Sequence, residues 1–224
     1  MKEFAKLIDV EFNDIDLLER ALTHRSYLNE HPEKAEHNER LEFLGDAVIE
    51  LVVTEYLYKN YPNPEGELTN WRSAIVRGEV LSEVAKEIHV GDYILLSKGE
   101  EKSGGRERNL IMANAFEAIV GAIYIDGGYE VAKKYIDKHL ISMLPEVIEK
   151  KLYIDPKSNL QEITQEKLGV TPQYKVVSEE GPDHAKDFTV GVYAADKLLG
   201  KGVGPSKQKA EQAAASEALK NLSD

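Results

Sequence analysis

Apolar side chains return every three or four positions through most of the first 150 residues. Leu17, Leu18, Ala21 and Leu22 follow Asn13 as a candidate cap, and a longer segment at 38–59 carries Leu41, Leu44, Val48, Leu51 and Val52 as one apolar stripe. Leu68, Trp71 and Ile75 repeat the spacing, as do Val80, Leu81, Val84 and Ile88, and residues 109–125 and 130–143 continue it. Only the polar stretch 97–108, with Gly99, Gly104 and Gly105, interrupts, and it reads as a loop. The pattern predicts an all-α domain over 1–152.

At Tyr153-Ile154-Asp155-Pro156 the pattern changes, because proline disfavours helix at the residue before it. Leu160, Ile163 and Leu168 suit a short helix, and 174–178, 188–193 and 198–203 suit strands. The segments Glu180-Gly181-Pro182-Asp183 and Ala195-Asp196-Lys197 are the turns of two hairpins. Residues 206–222 form an alanine-rich helix, in which Ala210, Ala213, Ala214 and Ala218 would let the backbone pack close to the sheet. This α-β-β-β-α order predicts a small α+β domain over 155–224.

Charge complicates the picture. The formal net charge is −12. Through Ile154 there are 19 Lys/Arg against 29 Asp/Glu, a balance of −10, which repels phosphates at long range. Nucleic-acid binding would therefore have to rest on local basic groups or bound cations. The chain has no cysteine, which excludes disulfides and thiolate metal sites and fits a reducing compartment. No export signal is visible, and the longest apolar run, 118–125, falls short of the roughly 20 residues of a membrane helix. A soluble, cytoplasmic protein is expected, with no membrane partner.

Within the 38–59 helix, Glu39, Glu42 and Asp46 fall at i, i+3 and i+7 and span roughly 60° of the helix wheel, apart from the apolar stripe. Two unit charges 4 Å apart repel by about 4 kcal/mol at an effective dielectric of 20, so converging carboxylates call for water, protons or a hard divalent cation. In an arbitrary protein such a stripe is a solvated helix face. Phe43 projects about 130° from the centre of the apolar stripe, beside the acids, which suits burial in a second subunit or a local contact within the chain.

The run Asn38-Glu39-Arg40-Leu41-Glu42-Phe43-Leu44-Gly45-Asp46-Ala47, the segment from Asn114 to Tyr124 and Thr23-His24-Arg25-Ser26-Tyr27 closely resemble the ribonuclease III family. The C-terminal part resembles the double-stranded RNA-binding domain that follows the nuclease domain in bacterial members. That resemblance implies a homodimeric endonuclease that uses Mg2+, with Mn2+ as a substitute, to hydrolyse double-stranded RNA. The implied products carry 5′-phosphates and short 3′ overhangs, and the implied substrates are structured precursors such as ribosomal and messenger RNA. Glu42 and Glu117 match the metal ligands, and Asp46 matches the essential acid near the attacking water. Glu39 and Glu65 match supporting acids, with Glu67 competing for the place of Glu65 and Glu100 a further candidate. His24 and His37 are read as structural or surface histidines.

Position 114 departs from the family pattern, since Asn114 stands where the best-known members have Asp. An amide oxygen still ligates a hard cation, and Asn114 shares a helix face with Glu117 at i+3. The resemblance then implies Glu42, Asp46, Asn114 and Glu117 as the metal-binding set. The alternative is a dimeric double-stranded RNA-binding protein in which Asn114 has uncoupled cleavage from recognition. In the C-terminal part the resemblance places Lys207 and Lys209 on phosphates, with Gln208 where another basic residue is common. It also places the loop of His184 in one minor groove and Gln161 and Glu162 at another.

Overall fold

The computed structural model describes residues 1–34, 36–151, 153–182 and 186–223, leaving aside the side chain of Ser223. The chain divides into two compact units, Met1–Tyr153 and Ile154–Asp224.

The first unit is helical: α1 (Lys2–Leu7), α2 (Ile15–Ala21), α3 (Glu39–Asn60), α4 (Glu65–Ile75), α5 (Gly78–Glu87), α6 (Val90–Tyr93), α7 (Lys98–Lys102), α8 (Asn109–His139) and α9 (Leu144–Glu149). Its core is gathered around α8, where Met112, Phe116, Ile119, Val120 and Ile123 are buried against Leu41, Ile49 and Val52 of α3. Each such side chain contributes about 1.5–3 kcal/mol on burial. The 109–149 stretch is apolar and long enough to cross a membrane by composition, but 61% of its most apolar window is buried inside the unit, as in a core helix.

Three details differ from the sequence pattern. The cap of α2 is Asp14, whose carboxylate accepts from the Asp16 N–H at 3.0 Å, while the Asn13 N–H donates to Asp126 in the middle of α8. The polar stretch 97–108 is not all loop: the Ser97 side chain accepts from the Glu100 N–H at 3.2 Å and opens α7, and a 3-10 turn follows at Gly105–Glu107. Leu51 does not belong to the buried stripe. It is 57% exposed, because the core face of α3 is centred on Leu41, Gly45, Val48 and Val52, leaving Leu51 on the side of Phe43. Within α8, Gly128 takes a left-handed φ of 76°, which breaks the helix between the two segments the sequence pattern separates.

The second unit holds α10 (Pro156–Leu168), β1 (Gln173–Glu180), β2 (Asp187–Ala194), β3 (Lys197–Gly204) and α11 (Lys207–Ser223). The antiparallel sheet has the order β1-β2-β3, and one face is covered by the helices around Leu160, Val192, Ala214 and Ala218. Glycine meets alanine at that contact. A Cβ on Gly202 would lie 2.2 Å from the Ala214 nitrogen and one on Gly200 2.6 Å from the Ala218 nitrogen, so α11 rests directly on the β3 backbone. Asp155 caps α10 by accepting from the Ser158 N–H at 2.9 Å, with Pro156 in the first turn.

Candidate metal centre and nucleic-acid interface

The acids of α3 and the polar face of α8 are brought together by a crossing of two glycines. A Cβ on Gly45 would stand 1.7 Å from the Glu117 carbonyl oxygen, and one on Gly121 would stand 2.2 Å from the Leu41 carbonyl oxygen. Only hydrogen in place of a side chain lets the two backbones touch at these positions. Glu42 and Asp46 flank Gly45 on α3, and Glu117 lies one turn before Gly121 on α8. The crossing therefore fixes these carboxylates relative to one another.

Their electrostatics follow. The Glu117 carboxyl is pushed up to about 7, first by burial and then by the charges of Asp46 and Glu42. Glu42 is also raised, by burial and by Glu39 and Asp46, while a hydrogen bond from the Asn114 side chain opposes the rise. The Asn114 amide nitrogen is the donor in that bond, which leaves its Oδ1 as an acceptor. Among the described residues, no group of three or more His, Cys, Asp or Glu side chains stands ready to hold a metal. Asp46 is exposed and Glu42 is engaged by Asn114, so the carboxylates share a field without sharing a point. The chemistry of the set nonetheless fits a hard cation: its candidate donors are all oxygen, and the crowding of Glu117 by Asp46 and Glu42 favours a positive charge there.

Around this cluster the structure sorts the remaining expected residues. Glu39 begins α3, pairs with Arg25 at 3.4 Å and lies close enough for its charge to act on Glu42. Glu65 is not brought to the cluster. It begins α4, accepts from Thr69 at 3.3 Å and lines a cleft of about 480 Å³ with Thr54, Leu57, Tyr58 and Arg72. Thr54 lies three turns beyond Glu42, about 18 Å along α3. Glu67 instead accepts from Asn63 at 2.8 Å. Phe43 is 80% exposed, so it makes no intrachain burial.

The Thr23–Tyr27 segment gains a role that its sequence did not reveal. The Asn38 N–H donates to the Thr23 carbonyl at 2.9 Å, tying it to the start of α3. Ser26 Oγ meets His24 Nδ1 at 2.8 Å and accepts from the Ser97 N–H at 3.1 Å, tying it to the entry of α7 and so to Glu100. Glu100 itself pairs with Arg108 at 2.5 Å. Burial lowers the pKa of His24, with Glu100 opposing. Glu79 is another residue the pattern missed: it lines a cleft of about 370 Å³ together with Asn109, Ala113, Asn114 and Glu117.

In the second unit, Gln161 and Glu162 are exposed on α10 beside Ser158, Gln165 and Glu166, in one shallow groove. Lys207, Gln208 and Lys209 are exposed in the first turn of α11, and Ser206 Oγ accepts from the Lys209 N–H at 3.3 Å. The His184 assignment falls outside the described residues.

The family model described as ribonuclease-III-like matches residues 14–144, and the one described as the double-stranded RNA binding motif matches 156–222. Ribonuclease 3 of Borreliella afzelii is 45% identical over 225 residues, covering 100% of this chain and 92% of that protein. The chain belongs to the ribonuclease III family. Ribonuclease 3 of Enterococcus faecalis is 46% identical over 222 residues, covering 98% of this chain and 96% of that protein. The solved nuclease domain of ribonuclease III from Campylobacter jejuni, described for flexibility in a region involved in dimer formation, superposes with a TM-score of 0.56. It is 42% identical and covers 62% of this chain and 96% of that domain. As a ribonuclease III, the chain is an endoribonuclease acting on double-stranded RNA. Its helical nuclease unit is followed by an α-β-β-β-α RNA-binding unit, as the residue pattern predicts.

Proposed function

We propose that this ribonuclease III hydrolyses duplex RNA with Mg2+, or with Mn2+ in its place, at the oxygen cluster of Glu42, Asp46, Asn114 and Glu117. The products would carry 5′-phosphates and short 3′ overhangs. The observation that carries this reading is the Gly45–Gly121 crossing, which sets those side chains in one another's field and holds the Glu117 carboxyl near 7. Asn114 does not argue for a non-cleaving protein, since its Oδ1 remains a hard donor beside the carboxylates.

Glu42, Asn114 Oδ1 and Glu117 would hold the cation, and Glu117 would have to be deprotonated to do so. Bound there, a divalent ion would lower the pKa of its water and offset phosphate charge. Asp46, the exposed acid of the set, would orient the attacking water and accept its proton at a carboxylate oxygen. Glu39, held by Arg25, supports the entrance. Substrate is held by the second unit, with Lys207 and Lys209 on phosphates and Gln161, Glu162 and the loop of His184 at minor grooves.

The working form would be a homodimer. Phe43, Ala47, Leu51, Thr54 and Tyr58 are exposed at steps of three and four along α3, with Leu51 57% and Tyr58 82% exposed. Two-fold pairing centred on Leu51 lays the Phe43 end of one α3 against the Tyr58 end of the other. That brings the Glu65 cleft of one subunit to the acid cluster of its neighbour, which gives Glu65 a supporting role it cannot have within one chain. A cytoplasmic setting fits the lack of cysteine, and structured ribosomal and messenger precursors supply the duplexes.

The test uses labelled duplex RNA, the matching single strand and duplex DNA, each with Mg2+ and with EDTA. Cutting confined to duplex RNA with Mg2+ is expected; cutting that persists in EDTA would overturn the metal reading.

A further inference from the structure

Across the end of the sheet, Glu179 of β1 is paired with Phe188 of β2, and Phe188 with Gly204 of β3. Gly204 lets α11 start directly on this row, since a Cβ there would lie 2.8 Å from the Ala210 nitrogen. Lys207, in the first turn of α11, consequently extends over the row. Its Nζ lies 5.6 Å from the centroid of the Phe188 ring and 3.5 Å from Glu179 Oε1. The other oxygen of the same carboxylate, Oε2, accepts from Lys186 Nζ at 3.3 Å. One carboxylate thus stands between two lysines, and both ammonium groups hold its pKa below the ordinary glutamate range.

We infer that Glu179 is a built-in competitor for the RNA phosphate at Lys207, setting how tightly the duplex is held. This rests on the reading of Lys207 as a phosphate contact. Lys207 at rest is not free: its ammonium lies over the Phe188 ring, and the Glu179 carboxylate occupies the position of an anion. A phosphate that reaches Lys207 must displace Glu179 or share the ammonium with it, with two anions held a few ångströms apart. Repulsion between unit charges about 7 Å apart is worth about threefold in binding at the dielectric of water, and more where the RNA excludes water. Because an ammonium already neutralised inside the protein adds less net attraction, Glu179 should also flatten the dependence of affinity on salt. With Gln208 contributing no charge, this chain has few basic groups at the helix start, so the competitor acts on a large share of the local attraction. The benefit to a processing enzyme is release: cut duplex leaves faster from a site that supplies its own anion.

The experiment measures binding of the full-length chain to a 20-base-pair RNA duplex in EDTA, at 50 and 200 mM salt, for the parent, Glu179→Gln, Lys207→Gln and the double variant. Melting curves confirm that each is folded. Glu179→Gln is expected to bind three- to tenfold tighter at 50 mM, with a steeper salt slope, and the gain should shrink below twofold in the Lys207→Gln background. Unchanged or weaker binding by Glu179→Gln, while Lys207→Gln loses affinity, would overturn the role of Glu179 and leave Lys207 as a phosphate contact. If Lys207→Gln binds like the parent, the reading of Lys207 fails and the competitor role falls with it. An equal gain from Glu179→Gln with and without Lys207 would also overturn it, as a general charge effect.

Discussion

Gly45→Ala is the substitution that most directly tests how the nuclease site is built. The added Cβ would lie 1.7 Å from the Glu117 carbonyl oxygen and 2.9 Å from the Gly121 nitrogen. Both obstacles are backbone, so no side chain can swing aside. Real Cβ contacts begin near 3.0 Å, and α3 and α8 must part by about 1.3 Å to reach it. Overpacking of this size costs about 1–3 kcal/mol of stability. For a unit of this size that corresponds to a melting shift of roughly 2–10 °C. The same displacement carries Glu42 and Asp46 away from Asn114 and Glu117. A misplacement of about 1 Å in a reacting constellation can cost 10²-fold in rate. Single-turnover cleavage of a saturating RNA duplex is therefore expected to slow by about 10²-fold. Duplex affinity should stay within about twofold, since the residues assigned to holding RNA lie in the second unit and not on α3 or α8. A folded Gly45→Ala protein that cleaves within threefold of the parent rate would refute the claim that this crossing sets the carboxylates.

Other expectations follow from single groups. Asn114→Asp adds a carboxylate to the set, so calorimetric titration should show tighter Mg2+ binding; equal affinities would remove Asn114 from the ligand set. Because the folded chain holds the Glu117 proton more tightly than the unfolded chain, it binds more protons between about pH 4.5 and 7, and metal-free stability should fall as pH rises through that window. Glu117→Gln should remove that part of the fall in melting temperature, and an unchanged pH profile would show that Glu117 is not the titrating group. Phe43→Ala should sediment as a monomer at concentrations where the parent is a dimer, and an unaltered dimer would mean that the exposed α3 stripe is not the interface.

Much of this was legible in the residues because helices and strands announce themselves by period. The α3 and α8 segments read clearly, since their core faces recur at three and four, and the change of pattern near Asp155 marks where a second unit begins. Leu51 was misplaced for a definite reason: wheel angles tell which residues share a face, but not which flank of that face meets a neighbour. The glycine crossing was present in both motifs as Gly45 and Gly121, yet nothing in either helix alone says that they meet. Glu65 illustrates the same limit from the other side. Its acid character and motif are local, whereas its distance from Glu42 depends on how α4 returns beside the far end of α3. The Thr23–Tyr27 segment was recognisable without being interpretable, because its work is done by backbone bonds to Asn38 and by Ser26 reaching Ser97. Glu179 carried no signal at all, since only the strand register and the start of α11 bring it to Lys207.

Recognition and cutting of duplex RNA are proposed to be separate, with cutting residing in the oxygen cluster of α3 and α8. The most direct test compares the parent with Glu117→Gln on one end-labelled RNA duplex in Mg2+, following binding and single-turnover cleavage together. The parent should cut to 5′-phosphate products, and Glu117→Gln should bind the duplex with similar affinity and leave it intact. Cleavage by Glu117→Gln at the parent rate would place the chemistry elsewhere in the molecule.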